Sequence, residues 1–295
     1  RDLHGSIHSF PTRRSSNLVG IRTLVQTAEL YAADVNSYAV AFRLAPMLNA
    51  AGRMGHARLA VELLTTESEV RAIQIAQYLK DQNRLRQKYQ LDIFKQARQR
   101  IVQMGLHHPD RKTIVLADEN WHTGVIGIVA ARIVDDFYRP TILINTGEGI
   151  GQGSGRSIEG FNLHAHLEAC SDYLISFGGH EMAAGLRIEP SRIAAFAEAF
   201  EASAEQAFRE KMPASCLTID AEVRIADFTE RLMKELNYLE PFGQGNPKPL
   251  FAVRGVKLIA PPRKVGARND HLQLSIADAS GAVRCIGFGM GNLEK

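Results

Sequence analysis

From Leu18 to about Leu64 apolar residues recur at steps of three and four, in LVGIRTLVQTAEL and then in LAPMLNAAGRMGHARLAVELL. That is the period of amphipathic helices. Pro46, Gly52 and Gly55 interrupt the second stretch, so Asn49 and Arg53 are expected on a bend between helices. TTESEV places Thr66 and Glu69 at capping-box spacing, and Leu85, Tyr89, Ile93, Ala97, Ile101 and Met104 then repeat every three or four residues. A helix over 67–106 follows, with one narrow buried stripe and a length on the order of 55 Å. Such a helix is longer than a compact domain needs and reads as a connector between two bodies.

Past His107-His108-Pro109 the period changes. TIVLA (113–117) and TILIN (141–145) are β-branched runs, while VIGIVAARIVDDF, LHAHLEAC and the stretch 191–208 keep a helical period. Strands alternating with helices give an α/β unit. Beyond Pro213 the runs LTIDAEV, LFAVRGVKLI, HLQLSIAD and VRCIGFG alternate apolar and polar positions between turn residues. They predict a small β-barrel, expected to be cut short at its C-terminal end. Residues 1–17 carry neither a period nor an apolar core and are expected to be a non-native leader.

Composition narrows the class. The chain has 295 residues, 45% hydrophobic and 23% charged, as in an ordinary globular protein. No apolar run approaches the roughly 18 residues of a membrane-spanning helix, so no membrane partner is expected. A net charge of +3 permits a nucleic-acid partner only where basic residues cluster. Cys170, Cys216 and Cys285 are odd in number and lie in no CxxC spacing. That argues against a disulfide framework or a zinc site and for a reducing compartment, expected to be the cytoplasm.

Three glycine-flanked polar stretches stand out in the α/β region. In ISFGGHEMAAGL, Gly178 and Gly179 remove Cβ atoms before His180, so the turn is either an anion cradle of backbone N–H groups or a tight bend with a packed histidine. In ENWHTGVIGIVA, His122 precedes a helix whose first turn holds Gly124 and Gly127. Its donors and dipole suit a phosphate, the alternative being an N-cap neighbour packed on Trp121. GQGSGRS sets Ser154, Arg156 and Ser157 in a glycine-rich loop suited to phosphate oxygens, unless Arg156 is a solvated loop charge. A shared phosphate-backbone site explains all three better than three unrelated turns. In the C-terminal region Arg254, Lys257, Arg263, Lys264, Arg268 and Arg284 accompany Phe242, Phe251 and Phe288. A basic groove with stacking faces is one reading; for Phe251 and Phe288 a place in the barrel core is favoured. His164 and His166 are two apart and His107 and His108 adjacent, not the i, i+4 spacing of a helical metal site, so no metal ligand is expected.

LAPMLNAAGRMG, NWHTGVIGIVAARI, GSGRSIEGFNLHAHLEAC, ISFGGHEMAAGL and LEPFGQGNPKPLF, in that order, resemble the RecJ-type single-strand-specific DNA exonucleases of the DHH phosphoesterase superfamily. The resemblance runs from about Leu18 to the end. GGH alone would equally fit oligoribonucleases and cyclic-dinucleotide phosphodiesterases, whereas LEPFGQGNP points to the exonuclease branch. What it implies is an α/β chain built of a helical DHH-domain remnant (18–66), a linking helix (67–106), a DHH-associated α/β domain (107–212) and an OB-fold β-barrel (213–295). Single-stranded DNA is the implied substrate, degraded 5′ to 3′ with manganese or magnesium in the full-length family; a single-strand binding protein and a RecQ-type helicase are the implied partners. Asn49 and Arg53 match the motif near the catalytic-domain junction. Ser154, Arg156, Ser157 and Gly178-Gly179-His180 match the substrate-phosphate side of the cleft. The chain departs from the family in having neither a DHH nor a DxD triplet. It is therefore expected to lack the metal centre, to carry no catalytic residue and to bind no metal, which leaves a metal-free single-strand-binding module as the alternative.

Overall fold

The computed structural model describes residues 18–31, 35–209 and 213–293, so the expected leader lies outside the described residues. The chain divides into two compact units, Arg1–Ser215 and Cys216–Lys295.

The first unit begins with helices α1 (Val19–Thr27), α2 (Ser37–Ala39, running into a π-helical turn Val40–Leu44), α3 (Ala45–Arg53) and α4 (Ala57–Thr65). Pro46 lies in the first turn of α3, where its missing N–H leaves no gap. Asn49 and Arg53 therefore stand on one continuous helix, not on a bend. The turn comes after them, at Met54–His56, with Gly55 at φ 94°. The long helix α5 (Glu69–Gln103) has 35 residues, about 52 Å at 1.5 Å per residue. Its N-cap is Ser68, whose hydroxyl accepts from the Arg71 N–H; Thr66 instead ends α4 and accepts from the Ser68 N–H, so the expected Thr66–Glu69 box does not form. Ala72, Ile75, Ala76 and Leu79 pack with Leu24, Met47 and Leu63. Ile93, Phe94, Ala97 and Ile101 pack with the α/β region. Leu85 and Met104, expected in the buried stripe, are exposed. One helix thus serves two cores within a single unit.

That α/β region is a five-stranded sheet in the order β1-β2-β3-β5-β4. β1 (Ile114–Asp118) and β2 (Thr141–Asn145) are parallel and joined by α6 (Thr123–Phe137). β3 (Gly151–Arg156), β5 (Ala183–Ile188) and β4 (Leu174–His180) continue antiparallel. Helices α7 (Leu163–Ala169) and α8 (Ile193–Ala207) supply Leu163, Phe196 and Phe200 to the core on the other side. GQGSGR is therefore a strand, not a loop. Its glycines answer to packing: a Cβ on Gly153 would lie 2.7 Å from Leu186 Cδ1, and one on Gly155 2.9 Å from Leu163 Cδ2.

The second unit contains a parallel pair, β6 (Ala221–Glu222) with β7 (Phe251–Ala252), and helix α9 (Glu230–Asn237). Its main sheet is the antiparallel meander β8 (Lys257–Val265), β9 (His271–Asp278) and β10 (Gly281–Gly287). Asp278 fixes the β9–β10 hairpin to the segment before α9. Its carboxylate accepts from the backbone N–H groups of Ile225, Ser280 and Gly281 and from the Ser280 hydroxyl. Those bonds, the one from Ile225 foremost, hold its pKa at about 2 against an ordinary 3.8. Because the folded value is the lower one, the stabilisation is complete above the unfolded value and is lost as pH falls through about 2. Thermal melts of the chain between neutral and acid pH should show this loss, and Asp278→Asn should remove the part of the acid dependence that Asp278 carries.

Candidate nucleic-acid interface

His122 is the N-cap of α6. Its Nδ1 accepts from the Gly124 N–H at 3.1 Å, and its carbonyl accepts from the Val125 and Ile126 N–H groups. Its ring stacks on Tyr89 of α5, centroids 5.4 Å apart. Trp121 beside it is buried, its indole N–H donating to Gln96 and its ring lying under the Arg100 guanidinium. Of the first-turn donors expected to face a phosphate, the N–H groups of Gly124, Val125 and Ile126 are thus taken up by His122. Gly124 and Gly127 have another purpose. A Cβ on Gly124 would sit 2.1 Å from the Arg53 carbonyl oxygen, and one on Gly127 2.7 Å from Ser154 Oγ and 3.0 Å from Arg156 Nη2. The glycines let α6 press against the end of α3 and against β3.

That packing gathers the charges. Arg53 Nη1 donates to the Gly124 carbonyl at 3.3 Å, and Arg156 Nη1 donates to the Gly155 carbonyl at 2.7 Å and to Ser154 Oγ at 3.2 Å. Asn49, exposed, stands one turn before Arg53 on the same face of α3. Burial first, then the Arg53 charge, push the Arg156 guanidinium below its ordinary pKa. An arginine stays protonated through such a shift. Among the described residues neither guanidinium has a carboxylate partner. The group is an uncompensated positive centre.

Strand register extends it. Cross-strand partners share a face, which sets Arg156, Ala183 and His180 in one row, Ser154, Gly185 and Gly178 in the next, and Gln152, Arg187 and Ser176 in a third. The middle row beyond Ser154 has no side chain. It floors a shallow depression of about 310 Å³ lined in part by Gln152, Ser176, Gly178, Gly185 and Arg187. A Cβ on Gly178 would meet nothing within 4 Å. His180 is exposed, its Nδ1 accepting from the Met182 N–H at 3.3 Å. GGH is thus the end of a strand, not a turn, and its two glycines do different things. Gly179 faces the other way, at φ 149°, and a Cβ there would lie 2.3 Å from the Ala183 carbonyl oxygen. Ser157 does not join the group: it is buried, and its hydroxyl donates to the Phe161 carbonyl at 2.6 Å. Arg187 was missed from sequence, where nothing marks an arginine inside an alternating strand until its row-mates are known.

In the second unit the same alternation sorts the basic residues. Lys257 opposes Ala277, Arg263 opposes Gln273 and Arg284 opposes Ser275, so the three share one face of the meander. Leu258, Leu272, Leu274, Ile276 and Val283 share the other, and Lys264, opposite Leu272, points with them. Arg254 is drawn into an ion pair with Glu222 at 2.7 Å. Arg268 lies in the β8–β9 turn, and Phe242 is half-buried in the loop before β7. Phe251 is half-buried and packs edge-on to Phe228, which is itself exposed. Phe288 is not in a core: it is 74% exposed, its ring edge against His271. His164 and His166 contact Phe177 and Phe161 respectively, and among the described residues no three His, Cys, Asp or Glu side chains are grouped to hold a metal.

Residues 110–206 match the DHHA1 domain family, and residues 219–295 match the RecJ OB domain. The chain is 36% identical to the single-stranded-DNA-specific exonuclease RecJ of Bacillus subtilis over 96% of its own length and 36% of that protein's. The Haemophilus influenzae RecJ is 30% identical over 90% of this chain and 47% of its own. The chain therefore spans less than half the length of these relatives. The crystal structure of Thermus thermophilus RecJ in complex with Mg2+ superposes with a TM-score of 0.77 at 30% identity, covering 92% of this chain and 40% of that one; its complex with Mn2+ gives 0.76. In sequence, domain order and fold the chain is similar to RecJ, with a region that matches the DHHA1 domain followed by one that matches the RecJ OB domain.

Proposed function

We propose that this chain holds single-stranded DNA for a RecJ-type exonuclease that degrades it 5′ to 3′ in repair and recombination, in the cytoplasm. The observation that carries the reading is the pair Arg53 and Arg156, without acid partners, beside a strand face floored by Gly185 and Gly178. Each phosphodiester brings one negative charge, and a guanidinium fork meets two of its oxygens at once. A floor without side chains lets a sugar-phosphate backbone approach the sheet, with His180 and Arg187 on its borders. The face of the second unit bearing Lys257, Arg263 and Arg284 suits the same kind of ligand. An oligoribonuclease or cyclic-dinucleotide phosphodiesterase needs no such second surface, and the RecJ OB match at 219–295 favours the longer strand.

The relatives' structures carry Mg2+ or Mn2+. The residues described here do not fit such an ion: no donor set is grouped among them, and the sequence has no DHH or DxD triplet. No hydrolytic step is assigned to them. The role is to bind and orient the strand. A single-strand binding protein and a RecQ-type helicase are partners that the family resemblance supports; no surface here is assigned to them.

Four measurements on binding, stability and turnover test this. In oligonucleotide titrations, Arg156→Gln and Arg53→Gln should each weaken binding by about tenfold or more, the worth of a charge-assisted hydrogen bond. His180→Ala should cost only a few-fold, with the melting temperature unchanged because the ring is exposed. The two glycines should separate: Gly179→Ala should destabilise the fold, by about 1–3 kcal/mol from backbone strain alone, whereas Gly178→Val should melt normally and lose affinity. Equal melting of the two variants would remove the trough from the reading. Incubated with end-labelled single strands and manganese, the 295-residue chain should release no nucleotides; metal-dependent release by a preparation free of host nuclease would show a catalytic centre in it.

A further inference from the structure

Arg86 of α5 lies one turn before Tyr89, the residue that stacks on His122. His122 caps the helix that presses on Arg53 and Arg156. These contacts bring the middle of the long helix to the edge of the basic centre. The Arg86 side chain is half-buried and held in a fixed pose: Nε and Nη2 donate to Asn83 Oδ1, at 3.2 and 2.8 Å, and Nη1 donates to Gln90 Oε1 at 2.9 Å. Both partners are neutral amides on its own helix. Among the described residues no carboxylate pairs with it. Burial and the Arg53 charge lower its pKa, as they do that of Arg156. An arginine fixed by neutral groups and close enough to feel the Arg53 charge is unfavourable in the free protein. An anion arriving between them removes the penalty.

We infer that Arg86 is a third arm of this site and contacts a phosphate of the strand next to the one held by Arg53 and Arg156, making the long helix a wall of the binding surface. The inference rests on the binding function proposed above. One diester carries a single charge, so three guanidiniums match consecutive phosphates better than a lone ion. Neither the helical period nor the resemblance assigns Arg86, because on a polar helix it looks like any solvated arginine.

The test is fluorescence anisotropy of a labelled oligothymidylate with the full chain, over a series of salt concentrations, using Arg86→Gln, Arg86→Lys and Arg53→Gln, with thermal melts of each. Arg86→Gln should weaken binding about tenfold or more and make the plot of log affinity against log salt shallower by about 0.7, the value for one neutralised phosphate on a single strand. Its melting temperature should not fall, since a repulsive neighbour is removed. Arg86→Lys should keep the slope and lose part of the affinity, because a lysine keeps the charge without the fork. If Arg86→Gln leaves affinity and slope unchanged while Arg53→Gln loses both, Arg86 is a helix-surface residue and the inference falls. A lowered melting temperature with an unchanged slope in the folded protein overturns it equally. Silence of Arg53→Gln would instead sink the binding function on which it rests.

Discussion

The candidate site depends on one close approach, that of α6 to the end of α3 and to β3. Gly124 and Gly127 have no Cβ, and the space a Cβ would take is filled by the Arg53 backbone in one case and by the Ser154 and Arg156 side chains in the other. Two pieces of chain about a hundred residues apart thereby place their arginines together. Any side chain at Gly124 would move α3 outward, and Arg53 with it.

Such an arrangement has to be held against its own charge. Like charges brought together and partly desolvated repel, so the frame must resist spreading. The long helix supplies that resistance. Its N-terminal half is buried with α1, α3 and α4, and its C-terminal half with β1 and α6. Arg100 near its end pairs with Asp118 and lies over Trp121, fixing the loop that leads into His122. Apolar burial in two places, at about 25 cal/mol per Å², outweighs a repulsion that the solvent still screens in part. The backbone that carries both arginines is thus fixed by packing on two cores, the condition under which binding costs little ordering of the main chain.

Much of this was legible in the residues. Helical period located α5, α6 and α8, and short β-branched runs located β1 and β2, because each is an apolar pattern that the core uses. The family motifs marked Arg53, Ser154, Arg156 and His180. In GQGSGR and GGH glycine reads locally as a loop or turn signal, whereas it belongs to strands. Glycine at Gly153 and Gly155 answers to cross-strand and helix contacts, and such contacts come from residues far along the chain that no local pattern contains. Pro46 was misread for a related reason, since a helix start and a helix break use the same residue. Arg86 and Arg187 carried no signal, because their meaning lies in which side chains stand beside them.

The chemistry of these surfaces bears on what they can distinguish. On the proposed function, guanidinium forks and a floor of Gly185 and Gly178 would meet phosphate and sugar, which are the same for every nucleotide. The rows beside the floor offer Gln152, Ser176 and His180, too few convergent donors and acceptors to read a base edge. In the second unit the basic face of the meander presents Lys257, Arg263 and Arg284 with Gln273 and Ser275 between them, again a backbone-directed set. On the proposed function, a strand held in this way would be bound irrespective of its sequence, and the discrimination left would be one of shape, since a flexible single strand follows a sheet face at less cost than a stiff duplex.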